Sequence, residues 1–247
     1  MNLDTVMKAN DIFKFNIFGY TIPISDSIIM MWIVMAFLIV CSYIFTKNLK
    51  TVPEGKQNVA EIIVEVINNF IKDNIGHQWR HFAPYLGTVL LFLIFSNIVS
   101  IFSVIPTGEE LYKITGSAFF EHLPQFAISP PTKDINVTAS MGIMSILLVL
   151  GSAIRFKGVF GWIKGFAKPS PVMIPFNIMD YGTRTLSLSL RLFGNILAAF
   201  IFMELVYGFV SPVIPVAFSL YFDLFDGILQ AYIFVFLTSI YISEVVE

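Results

Sequence analysis

Charge is what this chain has least of. Only 13% of its 247 residues are Asp, Glu, Lys or Arg, about half the ~25% usual for a soluble domain. The 15 Lys and Arg nearly cancel the 17 Asp and Glu. The basic surface that a phosphate backbone demands is therefore missing, and no nucleic-acid partner is expected. A single cysteine, Cys41, stands in an apolar run; one thiol excludes an internal disulfide, and its setting fits a small buried hydrophobe. HExxH, nucleophile-elbow and Walker sequences are all absent. Hydrolysis at a metal, acyl transfer and nucleotide binding thus have no motif, and neither a cofactor nor a metal is expected. No internal repeat or low-complexity tract is found either, which counts against an inverted-repeat transporter.

Apolar side chains fill the space that charge leaves. They make up 56% of the chain, 26 of them Phe, and the mean hydropathy is +0.79. Too little polar surface remains to cover a globule of this size, so a water-soluble enzyme is excluded. A hydrocarbon layer about 30 Å thick is crossed by roughly 20 apolar helical residues. Five segments qualify, at residues 27–46, 84–104, 137–154, 175–210 and 213–243. The expected fold is all-α: a single polytopic membrane domain with five transmembrane helices, the last two long enough to be tilted.

Residues 1–26 lack a compact basic start leading into an apolar stretch and are expected to be an external segment, not a cleaved leader. Residues 54–75 place Val59, Ile62, Ile63, Val66, Ile67 and Phe70 at helical spacing among charges, the pattern of an amphipathic helix lying along the interface. Residues 47–83 and 155–171 carry five and four Lys or Arg, against two each in 1–26 and 105–136. Nine against four puts the N-terminus outside and the C-terminus inside.

The anomaly is charge within apolar helices: Asp180, Arg184, Arg191, Glu204, Asp223 and Asp226. One such group near a bilayer centre costs at least about 2.5–3.5 kcal/mol, so each is a candidate for function. Counting about 100° per residue from Arg191, Ser187 falls near −40°, Asn195 near +40°, Arg184 near +20° and Asp180 near −20°, one polar stripe. For Asp180 and Arg184, four residues apart at the inner edge, a plain ion pair or snorkelling explains the charges equally well. Arg191 lies deeper. A guanidinium does not give up its proton, so its use is electrostatic. Glu204 is turned about 140° from it. On the last helix, Asp223, Asp226 and Gln230 fall near 0°, −60° and −20°, a second track.

The string SLSLRLFGN from Ser187 to Asn195, with LQAYIF from Leu229, TKDINVT from Thr132 and VPEGKQN from Val52, resembles subunit a of the bacterial F-type ATP synthase across roughly residues 50–247. The resemblance implies an ion-translocating stator subunit in a bacterial plasma membrane, or less readily a mitochondrial inner one. Its partners would be an oligomeric ring of c subunits, a peripheral-stalk subunit b, the soluble catalytic head and the bilayer. Arg191 matches the essential arginine of that family, Asn195 its polar partner, Ser187 a small polar position on the inner half-channel and Gln230 the glutamine beside the arginine. Asp223 matches an outer half-channel position. Phe200 stands where the family often has a polar group, and Glu204 one turn later is expected to replace it together with Asp223.

Other signals are weaker. Asp73, His77 and His81 are spaced by four, but a metal site needs a further ligand or an open position, and a solvated inner face is preferred. The loop from Thr107 to Lys133, with Glu109, Glu110, Glu121 and His122, reads as an ordinary external loop, and Pro169, Pro171 and Pro175 as the start of the fourth helix. The alternative function is a self-contained, proton-coupled secondary transporter in which Arg191 holds an anionic substrate and Asp223 or Asp226 couples protons.

Overall fold

The computed structural model describes residues 11–17, 20–47, 49–102, 131–166, 171–209 and 220–246. Residues 107–130 of the expected external loop, the last two residues of the second predicted span, the last of the fourth and the first seven of the fifth lie outside them. Helix α1 spans Asp26–Thr46, α2 Lys56–Ile75, α3 Trp79–Phe102, α4 Ile135–Phe166, α5 Ile174–Phe209 and α6 Gly227–Val246. Among the described residues, four stretches are long and apolar enough to cross a membrane: Asp26–Thr46, part of Lys56–Val99, Ile135–Trp162 and Leu224–Val246. Helix α5, at 36 residues, also has the length but carries charge. The chain is a nearly all-helical, multi-pass membrane protein, in line with the all-α expectation, with one short hairpin ahead of α1.

Two features were not legible in composition. A short antiparallel hairpin, β1 Asp11–Ile17 and β2 Tyr20–Ser25, precedes α1. Leu220–Asp226, directly ahead of α6, winds as a π-helix. Helices α3 and α4 run well past the predicted spans, and α6 ends three residues beyond its own. Helix α3 begins five residues before Pro84; near the helix start that proline forgoes only the hydrogen bond to the carbonyl of the exposed residue Arg80. Helix α4 runs past Arg155 and Lys157 until its backbone leaves helical geometry at Gly158, where φ is 70°.

The core lies between α3, α4 and α6, where Leu86, Leu93, Val149, Phe234, Val235 and Ile242 are buried. Helix α2 packs on α3 and α6, and α5 packs mainly on α4. In α1 only Ser27 and Val34 are buried, while Trp32, Phe37, Ile39 and Tyr43 are exposed, as befits a helix that is apolar all round and faces lipid. Without a hydrophobic drive between helices in lipid, contact depends on close fit and on buried polar pairs. Both are present. A Cβ on Gly142 of α4 would collide with Ser189 Oγ and approach the Thr185 carbonyl oxygen of α5, so glycine lets these two helices touch. Ser145 of α4 and Thr238 of α6 share a buried hydrogen bond of 2.8 Å, and the Thr238 hydroxyl donates to Phe234 O at 2.9 Å.

TKDINVT forms the hub at the start of α4. Asp134 Oδ1 accepts from the Asn136 backbone N–H at 2.9 Å and from Asn136 Nδ2 at 3.0 Å, satisfying an otherwise orphaned donor of the first turn. Its other oxygen accepts from Ser25 Oγ at 3.3 Å, tying the end of the hairpin to α4.

Candidate ion-path site

Helix α5 has two unlike faces. Leu188, Leu192 and Ala199 are buried, at about +60°, +100° and +80° from Arg191. Ser187, Leu190, Arg191, Gly194 and Ala198 are exposed, so the outward side begins at the arginine itself. No hydrogen bond or ion pair joins Arg191 to any described residue. Asn195, one turn on, is half-buried. Ser187, Arg191 and Asn195 therefore share one side of α5, and no described residue compensates the cation between them.

Arg184, on the same stripe two turns away, has the opposite fate. Its Nη2 lies 2.7 Å from Asp180 Oδ2, and its Nη1 and Nη2 donate to the two carboxylate oxygens of Glu244 at 2.8 and 3.2 Å. The guanidinium also lies 4.5 Å from the centre of the Tyr241 ring, within cation–π range. Its side chain is 17% exposed, against 51% and 58% for the two carboxylates. This is the plain ion pair that the sequence left open for Asp180 and Arg184, extended by an acid from α6. Glu244 escaped the sequence reading, although at about −40° from Gln230 it stands on that residue's face. A cavity of about 270 Å³ opens beside the cluster, lined among others by Lys157, Trp162, Asn177 and Tyr181.

The track on α6 is less regular than predicted. Gln230 is 6% exposed, and its Nε2 has no hydrogen-bond partner among the described residues. It turns into the bundle, and no hydrogen bond links it to Arg191 among those residues. Asp226 is half-buried. Asp223 and Asp226 both belong to the π-helix, so angles counted at α-helical spacing hold only from Gly227 onward. A π turn closes i to i+5 and advances each residue by less. The backbone of Glu204 is in α5 and that of Asp223 in the π-helix; both side chains lie outside the described residues, as does that of Phe200.

Asp73, His77 and His81 do not assemble a ligand set: among the described residues no three His, Cys, Asp or Glu gather at one point. The His81 ring packs against Phe156, with centroids 6.1 Å apart.

Protein comparisons carry the same assignment. The family model described as "ATP synthase A chain" matches residues 28–243. "ATP synthase subunit a, sodium ion specific" of Propionigenium modestum is 34% identical over 204 residues, covering 83% of this chain and 68% of that protein. With an arginine, unpaired among the described residues, on a long apolar helix and a match over most of its length, the chain belongs to the ATP synthase A chain family of ion-translocating membrane subunits.

Proposed function

We propose that this chain is the stationary wall of a rotary ion path, in which Arg191 separates two offset half-channels that load and unload the carboxyls of a c-ring. The observation that carries this reading is the position of Arg191, outward-facing and unpaired among the described residues. A carboxyl on a rotor helix facing lipid stays neutral, since an isolated ion there is strongly disfavoured; opposite a fixed guanidinium the same carboxyl ionises. Rotation exchanges the two states. An ion then crosses only by riding the ring nearly full circle, because the arginine blocks the direct route. Each charge moved down the potential supplies about 2.3 kcal/mol per 100 mV.

In this scheme Asp223, Asp226 and Glu204 belong to the outer path, while Ser187 and Asn195 flank the arginine. Asp180 and Arg184 line the inner end, and Gln230 serves from α6. The ion is a proton, or sodium as the name of the Propionigenium relative states for that protein; the ring carboxyl site sets which. The chain crosses the membrane five times, at 27–46, 84–104, 137–154, 175–210 and 213–243. Its N-terminus is outside, its C-terminus inside, residues 54–75 lie along the inner interface, and the host is a bacterial plasma membrane. Subunit b and the catalytic head complete the assembly. The family match does not favour the self-contained transporter.

The test is Arg191→Ala in the whole complex, reading ATP-driven ion pumping and passive leak in vesicles. Pumping vanishes while the complex still assembles. Pumping at an undiminished rate would end this proposal. Retained transport in Glu204→Ala, with unchanged assembly, would remove Glu204 from the outer path.

A further inference from the structure

Asn97, Thr132 and Gly227 come from three separate parts of the chain and meet where solvent has no access. Asn97 and Thr132 are each 1% exposed, and Gly227 is also buried. Asn97 Nδ2 donates to the Gly227 carbonyl oxygen at 2.8 Å, and Thr132 Oγ1 donates to Asn97 Oδ1 at 3.0 Å. The amide is thus used at both ends: its NH₂ side can only donate and its oxygen only accept, so the two partners fix which way it points. The approach is close. A Cβ on Gly227 would lie 2.8 Å from Asn97 Cβ, so glycine is what admits the asparagine to that carbonyl.

The position of this contact is its significance. Gly227 is the first residue of α6, and the residue before it ends the π-helix Leu220–Asp226. A π turn and an α turn advance by different angles per residue, so moving their junction by one position rotates every residue on the far side of it. Both carboxylates, Asp223 and Asp226, are on that far side, and Gln230 is one turn into the α segment. Thr132 sits in the short 3₁₀ turn Pro131–Lys133, two residues before the capping Asp134.

We infer that Asn97 is a positioning residue: held by Thr132, it grips the Gly227 carbonyl, fixes the junction of π and α winding, and so sets the direction in which Asp223 and Asp226 are presented relative to Gln230. This rests on the proposal that those carboxylates serve the outer ion path. Within TKDINVT, the threonine then orients the amide of α3 and the aspartate starts α4.

The experiment uses the complete ATP synthase complex in sealed vesicles. Asn97→Asp keeps the acceptor for Thr132 and loses the donor to Gly227; Thr132→Val removes the hydroxyl; Thr132→Ser keeps it. In a Cys41→Ser background, Asp223→Cys and Phe225→Cys are labelled separately with a water-soluble maleimide, and the ratio of the two rates reports the direction of the segment whether or not the complex pumps. The ratio changes severalfold in Asn97→Asp and in Thr132→Val and stays at the parental value in Thr132→Ser. With native Asp223 and Phe225 restored, the pH profile of ATP-driven pumping shifts in the same two variants. Should Asn97→Asp fail to assemble, the valine and serine variants at 132 decide. An unchanged ratio overturns the inference, as does a changed ratio with an unmoved pH profile in complexes where Asp226→Asn does move it. If Asp223→Asn and Asp226→Asn both pump as the parent does, the ion-path reading of these carboxylates has failed instead, and the labelling ratio still judges the role of Asn97.

Discussion

Arg184 of α5 and Glu244 of α6, sixty residues apart in sequence, meet through two parallel N–H···O contacts of 2.8 and 3.2 Å. Such a fork is stronger and more directional than a single lysine contact. Because the guanidinium is mostly enclosed while the acids are more than half exposed, the pair lies between the exposed and buried regimes. Glu244→Gln is expected to lower the stability of the assembled subunit by about 1–2 kcal/mol. Arg184→Lys should lose part of that. The double exchange Arg184→Glu with Glu244→Arg, which leaves one cation between two acids, should recover most of it. Thermal unfolding of the detergent-solubilised complex checks the series.

Contact between Gly142 and Ser189 leaves no room for a methyl group. Gly142→Ala should cost about 1–3 kcal/mol through overpacking, seen as lower yield and earlier thermal unfolding. Ser189→Gly in the same chain removes the obstructing hydroxyl and should restore much of the loss. A Gly142→Ala chain of parental stability would show that α4 and α5 do not approach as described.

Much of the helical framework could be read because each stretch answers to one dominant force. The run from Ile28 to Phe45 contains no charge, and α1 ends at Thr46, immediately before Lys47. Where two local preferences compete, composition is silent. In the hairpin, Phe13, Phe15 and Ile17 alternate with polar residues and pair with Ile24, Ile22 and Tyr20, a period-two signal that was present but outweighed by the scattered charges of residues 1–26. Seven residues of π winding are too few for apolar spacing to distinguish from α winding, so the relation of Asp223 and Asp226 to Gln230 could not be counted. Arg191 was legible because charge in an apolar helix stands out, whereas Glu244 sits near a chain end where an acid attracts no notice.

The outward side of α5 should tolerate change that its inward side does not. Leu188 is 1% exposed and Leu190 56%, so Leu188→Ala should cost about 2–4 kcal/mol and Leu190→Ala far less. Gly194 has open space where a Cβ would stand. Gly194→Trp should therefore assemble, yet if the ring slides past this face, ATP-driven pumping should fall at least about tenfold, the effect of roughly 1.4 kcal/mol on a rate barrier. Pumping at the parental rate would place the rotor on another face.

Ser145 and Thr238 form a polar pair inside an apolar contact. A double-mutant cycle with Ser145→Ala and Thr238→Val should give a coupling of about 0.5–1.5 kcal/mol, within the range found for such bonds between membrane helices. Zero coupling would mean that the two hydroxyls have other partners.

The guanidinium of Arg191, exposed and unpaired among the described residues, also bears on how the enzyme is put together if it stands within the membrane as proposed. A copy of this subunit made in excess leaves a permanent positive charge against hydrocarbon, where it is expected to draw water and lipid phosphates inward and thin the bilayer around it. On the proposed rotary reading, docking of a carboxyl-bearing ring would remove that distortion, so biogenesis should favour a preformed rotor, and the group proposed to gate the ion path would also mark orphaned stators for destruction.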